Sequence, residues 1–552
     1  MKMKKILATL LAAGMLLSMA SCSPSAASSG ASSQTGAASG TESKTDKTVR
    51  GNITFPLSDT KEELSVWTEQ LSNVVSDFDT NQMTKWYEDL TNVHIKWTAV
   101  PTADKQTQLN LSLSSDAHPD IYGGDFGTTE VQLYGGKVFL ALNDLMDKGY
   151  LPNTKEWMDS TEALQQLYAP DGNLYGFPCV QLEYHMRSQN KLFINSEWLK
   201  KLNMEKPTTT EEFKQMLIAF RDNDMNGNGD TTDEVPLSGS QNSWAADPIP
   251  FLMSAFILPG SSYTVADKDG KVTFTANQNA WRDGLKYIND LYNEKLFDDS
   301  IFVQDGTQLT ALVAEKVVGV VAGAWQGVFA DGENVKFTDY DYLLPLQGPT
   351  GLRQTGTNAV GEMNSIAYKD VITTSCKNPE LAAQWLDYWL SDEGTKILIY
   401  GFENVNFTFS NEKAINGITP SYNRFPENND NINTKWGNKS VPEHYTFDNY
   451  YASTAEPGSS SVLLYEAGKA YMQYEVNNGF PLVSWVTDAD KLAEYNELRK
   501  AITDYVKQAA SEFVIGSRNV NDDAAWKAYC DELNTLGVDR YIQLTEEVKF
   551  GK

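Results

Sequence analysis

Apolar and polar positions near the start of the chain follow two different periods. Apolar side chains at alternate positions in residues 64–67 (Leu-Ser-Val-Trp) and 93–97 (Val-His-Ile-Lys-Trp) predict two strands. Between them, the apolar residues of 83–90 have helical spacing. A helix is then predicted over 106–115, and a third strand begins at 120–122. Strands separated by helices predict parallel βαβ units with right-handed crossovers.

A similar alternation continues through the middle of the chain. Residues 192–195 predict a strand, and Thr209 with Glu212 three residues later is a capping box that begins a helix. Further helices are predicted over 196–202, 281–292 and 379–399. The last of these has Asn378 as its N-cap and Pro379 at its first position, so its start is well marked. The whole pattern indicates the α/β class.

The first 22 residues have the pattern of an export signal. Lysines within the first five residues precede an apolar run over 6–19, which is too short to span a bilayer because a membrane helix needs about 20 apolar residues. The sequence Ala20-Ser21-Cys22 then resembles the bacterial lipobox, in which the cysteine is lipidated, with palmitate among the expected acyl groups, and becomes the mature N-terminus. Met19 stands where that pattern has Leu, Val or Ile. Ordinary secretion, with cleavage after a nearby Ala or Ser, is the alternative.

Composition separates a polar linker from a long globular body. Residues 23–50 are mostly Ser, Ala, Gly and Thr, and this composition has too little apolar surface to offset the entropy of folding, so we expect a disordered tether. Residues 51–552 are long enough for two lobes rather than one core. The formal net charge of −28 argues against nucleic acid or an anionic membrane surface as a partner, because both require basic patches.

The reactive side chains lack the spacing of a known catalytic or metal-binding motif. The sequence has no H-E-x-x-H, G-x-S-x-G or Walker motif, and its 4 histidines are far apart. The cysteines of the body, Cys179, Cys376 and Cys530, could be free thiols or include one disulfide. We therefore expect no enzyme activity. A surface polysaccharide hydrolase or lyase remains an alternative, because a pair of catalytic carboxylates has no sequence signature.

Several segments in a fixed order carry a resemblance to a known family. They are residues 86–93 (Trp-Tyr-Glu-Asp-Leu-Thr-Asn-Val), 118–121 (His-Pro-Asp-Ile), 192–210, and 378–394, which begins Asn-Pro-Glu-Leu-Ala-Ala-Gln-Trp-Leu. Their order and spacing resemble the extracellular solute-binding lipoproteins of carbohydrate-type ABC transporters, the family 1 solute-binding proteins, and within them the group that includes the alginate-binding proteins. The resemblance covers nearly the whole body.

This resemblance implies a two-lobed, periplasmic-binding-protein-like α/β fold with a central cleft between the lobes. By analogy, lobe 1 holds residues 51–180 and 366–410, and lobe 2 holds residues 181–365 and 411–552. The implied function is capture of an extracellular carbohydrate, an oligosaccharide, and its delivery to ABC transporter permease subunits. A monomer anchored by its lipid to the extracellular face of the cell membrane fits this role. A peptide or another small solute remains an alternative ligand.

An acidic loop at residues 222–234 has the composition of a calcium site. Its side chains bear oxygens at alternate positions and its glycines permit a sharp turn, so it could wrap a hard cation. It is not a standard EF-hand, because counting from Asp222 gives Asp at position 12 and counting from Asp224 gives no Glu there. The second count resembles the calcium loop of the alginate-binding group, with one extra residue. That resemblance implies a structural ion; a solvated turn without metal is the alternative. The implied ligands are Asp224, Asn226, Asn228, the carbonyl of Asp230, Asp233 and Glu234.

Sugar binding requires aromatic faces beside a few fixed polar groups. Trp325 follows the predicted strand at 317–321, where a strand end would meet the cleft, and sugar-binding relatives place an aromatic there. Trp244 lies in a polar loop, and Asp125 follows the third predicted strand and could accept hydrogen bonds from hydroxyl groups. The alternative for each candidate is a packing role without ligand contact. The first passage between the lobes contributes three more candidates: Glu183, Tyr184 and Arg187.

Overall fold

The structure is a computed structural model that describes residues 47–71, 74–102, 104–359, 363, 365–425, 432–437, 440–486 and 488–550. The expected signal peptide, the lipidation site Cys22 and most of the expected linker lie outside these residues. The end of that linker differs from expectation, because Thr48–Arg50 form a strand that pairs with Ile53–Phe55. Within the described residues, no helix is both long and apolar enough to cross a bilayer.

The strands and helices are numbered in chain order. The strands are β1 (Thr48–Arg50), β2 (Ile53–Phe55), β3 (Glu62–Gln70), β4 (Val93–Pro101), β5 (Ile121–Phe126), β6 (Phe177–Gln181), β7 (Lys191–Asn195), β8 (Val235–Ser238), β9 (Thr264–Ala266), β10 (Val272–Phe274), β11 (Val318–Gly323), β12 (Tyr340–Leu343), β13 (Thr355–Thr357), β14 (Ser365–Ile372), β15 (Phe407–Ser410), β16 (Ser421–Arg424), β17 (His444–Tyr445) and β18 (Glu475–Asn477). The helices are α1 (Gln82–Thr91), α2 (Lys105–Leu113), α3 (Thr128–Tyr134), α4 (Asn143–Asp147), α5 (Pro152–Ser160), α6 (Glu162–Gln165), α7 (Ser196–Leu202), α8 (Thr210–Arg221), α9 (Ile249–Met253), α10 (Asn279–Asn293), α11 (Gly306–Ala314), α12 (Pro379–Asp387), α13 (Asp392–Tyr400), α14 (Phe447–Tyr450), α15 (Ser460–Tyr471), α16 (Ala489–Ile515), α17 (Asp523–Thr535) and α18 (Val538–Phe550).

The first sheet has six strands in the order β17-β6-β14-β5-β3-β4. Val66 of β3 lies opposite Trp97 of β4 and Ile121 of β5, and both pairings are parallel, as the predicted βαβ units require. β14 is antiparallel to both β5 and β6, so the sheet is mixed. Its core includes Trp385 and Trp389 of the following helical region, which are 1% and 0% exposed.

The second sheet has four strands in the order β12-β7-β11-β8. β11 is parallel to β8 and antiparallel to β7. Its apolar face packs with α8, α10 and the C-terminal helices in a core that is separate from that of the first sheet. Each sheet thus buries its own apolar face, which is the requirement for two lobes.

The pairing of β17 bears on where one lobe ends and the other begins. β17 pairs with β6 of the first sheet, and Trp436 and Val441 belong to the first core. These residues lie within 411–552, a stretch predicted to belong entirely to lobe 2. The division between the lobes stays a prediction, and this pairing is a reason to place 436–445 in lobe 1.

The helix predicted over 379–399 is interrupted. α12 ends at Asp387, a 3-10 turn follows, and α13 begins at Asp392. Ser391 between them is extended, with φ −71° and ψ 157°, and its hydroxyl accepts a hydrogen bond from Gly394 N–H at 3.0 Å. Ser391 therefore caps a new helix. The apolar periodicity continues across the break because Tyr388 on the turn is fully buried.

The cysteines of the body are free thiols, so the alternative of a disulfide among them is not realised in the structure. Burial raises the pKa of Cys376 to about 12 and raises that of Cys179 further. A thiol is nucleophilic only as the thiolate, so neither of these two cysteines is reactive near neutral pH.

Candidate functional site

Three strands of the first sheet, β3, β5 and β6, run in the same direction and end at the same edge of the sheet. β3 ends here at Gln70 and β5 at Phe126, while β6 ends at Gln181 beside Tyr445 of β17. The antiparallel β14 begins at the same edge, since Ser365 lies opposite Gln181. Edges at which parallel strands end commonly form ligand sites in α/β proteins. We call this the first cleft edge.

The second sheet has a corresponding edge. Residues 182–190, the first crossover, lead from β6 directly into β7 at Lys191, and Gly323 at the end of β11 lies opposite Lys191. β8 ends at this edge too, because its Ser238 pairs with Val321. We call this the second cleft edge. The crossover is short, so the two edges line a common cleft.

A buried ion pair joins the segments that pass between the sheets. Arg187 of the first crossover binds Glu475, with Nη2 2.8 Å from Oε2, and the two side chains are 9% and 7% exposed. Glu475 belongs to the third crossover, residues 446–478. The Arg187 carbonyl accepts a hydrogen bond at 2.8 Å from the hydroxyl of Thr357 in the second crossover, residues 344–359. Arg187 thus links these crossovers, and its predicted contact with a ligand stays a prediction.

Glu183 and Tyr184 begin the first crossover. Glu183 is 3% exposed, and burial raises its pKa to about 8, with the nearby Glu443 carboxylate adding to the increase. It is therefore mainly protonated at neutral pH and can donate a hydrogen bond. The half-buried Tyr184 ring stacks on Tyr451 at 5.8 Å and 25°, and the ammonium of Lys469 lies 5.3 Å from its centroid.

The two predicted tryptophans lie on the second lobe with unequal exposure. Trp325 is half-buried just beyond the end of β11, and its ring lies against Gly327, where an added Cβ would approach it to 2.2 Å. Its centroid is 5.6 Å from that of Phe337. Trp244 is 54% exposed in the loop after β8. Both residues follow strands that end at the second cleft edge, and their contact with a ligand stays a prediction.

Asp125 belongs to a charged group at the first cleft edge. Its Oδ1 accepts a hydrogen bond from the ammonium of Lys369 at 2.8 Å, and Lys369 also lies 3.2 Å from Oε1 of Glu443. The hydroxyl of Tyr445 donates a hydrogen bond to the other oxygen of Glu443. We call these four residues the Lys369 cluster. The Lys369 and Glu443 side chains are 1% and 0% exposed, whereas that of Asp125 is 44% exposed.

Three members of the Lys369 cluster were not predicted from the sequence. Lys369 and its neighbour Asp370 place two adjacent charges within the otherwise apolar segment 365–372, and adjacent strand residues point to opposite faces. Charges on both faces of a central strand are expensive to bury unless they are paired. This signal could have identified Lys369. The positions of Glu443 and Tyr445 depend on the pairing of a two-residue strand, which has no comparable pattern.

The acidic loop folds around Asp224. Its carboxylate oxygens accept hydrogen bonds from the N–H groups of Gly227 at 2.6 Å and Gly229 at 3.0 Å. Burial alone would raise the pKa of Asp224, but these backbone donors hold that pKa below its usual range. Gly229 has a φ of +90°, a conformation that favours glycine. Gly227, at position 6 when the loop is counted from Asp222, has a φ of +81°, so the glycine that an EF-hand requires at position 6 is present in both counts.

The end of the loop holds two carboxylates with buried oxygens. Asp233 Oδ2 accepts hydrogen bonds from the amides of Asn226 at 3.3 Å and Asn228 at 2.6 Å, and Glu234 Oε1 accepts from Met225 N–H at 2.6 Å. The remaining oxygens, Oδ1 of Asp233 and Oε2 of Glu234, are buried without a hydrogen-bond partner. Such oxygens are costly unless a donor or cation satisfies them, so the residues fit calcium.

A calcium site in this loop would need amide and backbone oxygens in addition to carboxylates. Among the described residues, no group of three or more His, Cys, Asp and Glu side chains is arranged to hold a metal ion. Asp230 lies with its side chain turned to its own loop, where Thr232 holds its pKa below the usual range through a hydroxyl hydrogen bond at 2.6 Å. Its predicted contribution is the backbone carbonyl, which this interaction leaves unchanged.

Comparison with known proteins identifies the family. Residues 69–396 match the sequence model of a family described as bacterial extracellular solute-binding protein. The chain belongs to this family. Two-lobed members of known structure superpose on this solute-binding protein along most of its length, which confirms the predicted fold with a central cleft.

Two curated relatives of this solute-binding protein span most of its length. It is 31% identical over 526 residues to the fructooligosaccharide ABC transporter substrate-binding protein FusA of Streptococcus pneumoniae, covering 92% of this chain and 93% of FusA. It is 22% identical over 480 residues to lipoprotein LipO of Bacillus subtilis, covering 85% of this chain and 86% of LipO.

Solved structures show the same relationship. FusA in complex with kestose has a TM-score of 0.73, and a FusA EF-hand mutant in complex with fructo-nystose has 0.74; each is 26% identical and covers 88% of this chain and 98% of FusA. The alginate-binding protein AlgQ2 without calcium ion has a TM-score of 0.66 at 21% identity, covering 89% of this chain and 98% of AlgQ2. The last comparison bears on the fold alone.

Proposed function

We propose that this solute-binding protein captures an extracellular oligosaccharide and delivers it to the permease subunits of an ABC transporter. The observation that carries the proposal is the central cleft of the two-lobed fold, where the edges of the two sheets are joined by the short first crossover. The name of FusA, the relative at 31% identity, supports the ligand class and the transporter. Proteins with two lobes close around a ligand by hinge bending.

The side chains at the cleft suit the surface of a sugar. A sugar ring has apolar C–H faces that stack on aromatic rings, and Trp325, Trp244 and Tyr184 provide such faces. Its hydroxyl groups need fixed acceptors and donors, which the Asp125 carboxylate and the mainly protonated Glu183 provide. A binding site of this kind holds its ligand without a reaction, as the relatives that are substrate-binding proteins do.

Titration calorimetry with uncharged oligosaccharides, including kestose and fructo-nystose, tests the proposal. Trp325→Ala should weaken binding roughly tenfold, because an aromatic stacking contact is worth about 0.5–1.5 kcal/mol beyond its buried area. Trp325→Phe is the matched control, since it keeps an aromatic face and should retain most of the affinity. Heat release with peptides and none across the glycan panel would refute the proposal in favour of a peptide-binding protein.

The acidic loop is proposed to hold one calcium ion in a structural role. The ligands would be Asp224, Asn226, Asn228, the carbonyl of Asp230, Asp233 and Glu234. The buried oxygens of Asp233 and Glu234 that have no hydrogen-bond partner support this set, as does the existence of an EF-hand mutant of FusA. Bound calcium would neutralise the carboxylates and stiffen the turn between α8 and β8.

The proposed location follows from the first 50 residues. Lipidation at Cys22, followed by the linker, would tether a monomer to the extracellular face of the cell membrane, near its transporter. Membership of an extracellular family and similarity to LipO support this location. Cell fractionation tests it, because a Cys22→Ser variant should move from the membrane fraction to the medium, and retention on the membrane would contradict the anchor.

A further inference from the structure

Lys191, the first residue of β7, is a buried cation between the first crossover and the end of β11. It is 1% exposed. Its ammonium donates hydrogen bonds to the carbonyls of His185, at 2.5 Å, and Ser188 in that crossover, and to the carbonyl of Ala324 at 3.4 Å. The three protons of an ammonium thus meet three carbonyl oxygens on two segments of the chain.

The contact with Ala324 fixes the backbone that carries Trp325. β11 ends at Gly323, which lies opposite Lys191, and Ala324 and Trp325 follow it. The chain turns closely here, since a Cβ added at Gly323 would lie 3.1 Å from the carbonyl oxygen of Trp325. A hydrogen bond to the Ala324 carbonyl therefore acts on the peptide group that joins Ala324 to Trp325.

A third segment packs on the other side of the Lys191 ammonium. The ring centroid of Tyr471, in the third crossover, lies 5.5 Å from it, and the Tyr471 hydroxyl donates a hydrogen bond to the carbonyl of Leu343 at the end of β12. The negative face of an aromatic ring attracts a cation. Lys191 thus links two of the crossovers to the second cleft edge, at the residue before Trp325.

An ammonium at this position has a cost that an apolar side chain would avoid. Burial disfavours the charged form and lowers the pKa of Lys191 to about 7, although the Glu475 carboxylate opposes this decrease. A methionine of similar length would fill the same space without that cost. It would not supply donors to the three carbonyl oxygens, so the donors are the property that distinguishes lysine here.

We propose that Lys191 is a positioning residue for ligand binding, which holds the backbone before Trp325 against the first crossover and so keeps the Trp325 ring in place for a sugar. This inference rests on the proposed oligosaccharide-binding function and on the predicted contact of Trp325 with the ligand. Lys191 itself is too deeply buried to touch the ligand, so its effect on affinity must pass through Trp325.

A double-mutant cycle with Lys191→Met and Trp325→Ala tests the inference. Titration calorimetry with kestose and fructo-nystose provides the affinities of the mature protein. Lys191→Met should weaken the tighter of the two ligands about fivefold, an effect of the size expected for coupled neighbours. The double variant should bind within about twofold of Trp325→Ala alone, because a residue that acts through Trp325 has no effect once that ring is gone.

Lys206→Met is the matched control for the loss of a lysine. The Lys206 ammonium also lies over a tyrosine ring, 4.5 Å from the centroid of Tyr342, and donates a hydrogen bond to the Tyr342 carbonyl at 2.9 Å. It also pairs with Asp341 at 2.6 Å. All these contacts are on β12, so Lys206→Met should leave the affinity unchanged, alone and together with Trp325→Ala. Circular dichroism establishes that each variant is folded before its affinity is compared.

A pH comparison tests the inference without a change at Lys191. Between about pH 6 and about pH 8 the ammonium loses one of its three donors, so the ratio of wild-type to Trp325→Ala affinity should fall about twofold. The pKa of His185 is lowered by burial to about 3, and burial raises that of Tyr471 well above its usual value, so neither titrates in this range. Glu183, whose pKa burial raises to about 8, titrates in both proteins, and the ratio cancels its effect. The other charged groups nearby are the paired Arg187 and Glu475 and, on the exposed side of α15, Glu466 and Lys469.

The outcomes distinguish this inference from the proposed function. Wild-type affinity in Lys191→Met, losses that multiply in the double variant, or an unchanged affinity in Trp325→Ala would each overturn the inference and leave oligosaccharide binding intact. Failure of the wild type to bind either ligand or any other member of the glycan panel refutes the proposed function itself. If Lys191→Met does not fold, the pH comparison decides, and an affinity ratio that is the same at both pH values overturns the inference.

Discussion

Substitution of Arg187 and Glu475 would measure how much their ion pair, which connects the first and third crossovers, contributes to the free energy of unfolding. Glu475→Leu would remove the carboxylate and leave the Arg187 guanidinium, with a side chain 9% exposed, in a site from which water is largely excluded. Arg187→Met would leave the Glu475 carboxylate in the converse position. The double variant removes both charges and replaces them with apolar side chains of similar length.

The expected magnitudes follow from burial and geometry. The guanidinium donates to both carboxylate oxygens over distances of 2.8–3.1 Å. Removal of one partner from a buried pair costs about 3–5 kcal/mol, whereas replacement of both by apolar groups is often nearly neutral. Since both side chains retain slight exposure, we expect each single variant to lose about 3 kcal/mol of unfolding free energy. The double variant should lose far less than the sum.

Urea unfolding followed by circular dichroism and by tryptophan fluorescence provides the measurement. Asp159→Asn is the control, because it breaks a pair with Lys155 of the same 2.8 Å length whose side chains are 59% and 61% exposed, and exposed pairs of that kind contribute little to stability. A loss in Glu475→Leu no greater than that of the control would refute the reasoning. Additive losses in the double variant would show that the two residues do not interact in solution.

Calcium should raise the melting temperature of the wild type and of Asp222→Ala but not of Asp224→Ala. Only Asp224 belongs to the proposed ligand set, and an ion that binds the native state stabilises that state. Equal responses of the two variants would contradict the assignment. Burial lowers the pKa of His185 and of His444 to about 3. The unfolded values are near 6.5, so the native state binds fewer protons between these limits, and the unfolding free energy should fall as the pH drops from about 6.5 towards 3. His444→Gln should show a shallower dependence in urea titrations, and an unchanged dependence would exclude this histidine as a cause.

Local signals predicted those elements whose ends are chemically marked. The capping box is confirmed, with Glu212 N–H donating to Thr209 Oγ1 at 3.1 Å, and α8 begins at Thr210. The prediction of one continuous helix over 379–399 was wrong, because apolar periodicity does not reveal a change of backbone direction. Ser391 is a good N-cap, and this property rather than the periodicity decides where the second helix begins.

The cleft was less predictable because its polar members are distant in sequence. Asp125 and Lys369 are separated by 244 positions, and Arg187 and Glu475 by 288. Which strand residue faces which partner depends on register, and the bulge at Asp370 alters the register locally. The position of Arg187 at the crossover could be predicted from the order of the elements. Its partner Glu475 could not, and the predicted contact of Arg187 with a ligand stays a prediction.

The contacts between the first and third crossovers restrict where the protein can bend. The third crossover packs directly on the turn at Tyr184, since a Cβ added at Gly468 would lie 2.5 Å from the Tyr184 carbonyl carbon. Arg187 and Glu475 join the same two segments a few residues further on. Because close packing and a buried ion pair both resist separation, these segments should move together as one body. For the first crossover, hinge bending around a ligand should then take place at its ends, beside Glu183 and Lys191, and so close to Glu183 and Tyr184, which are proposed to bind the sugar.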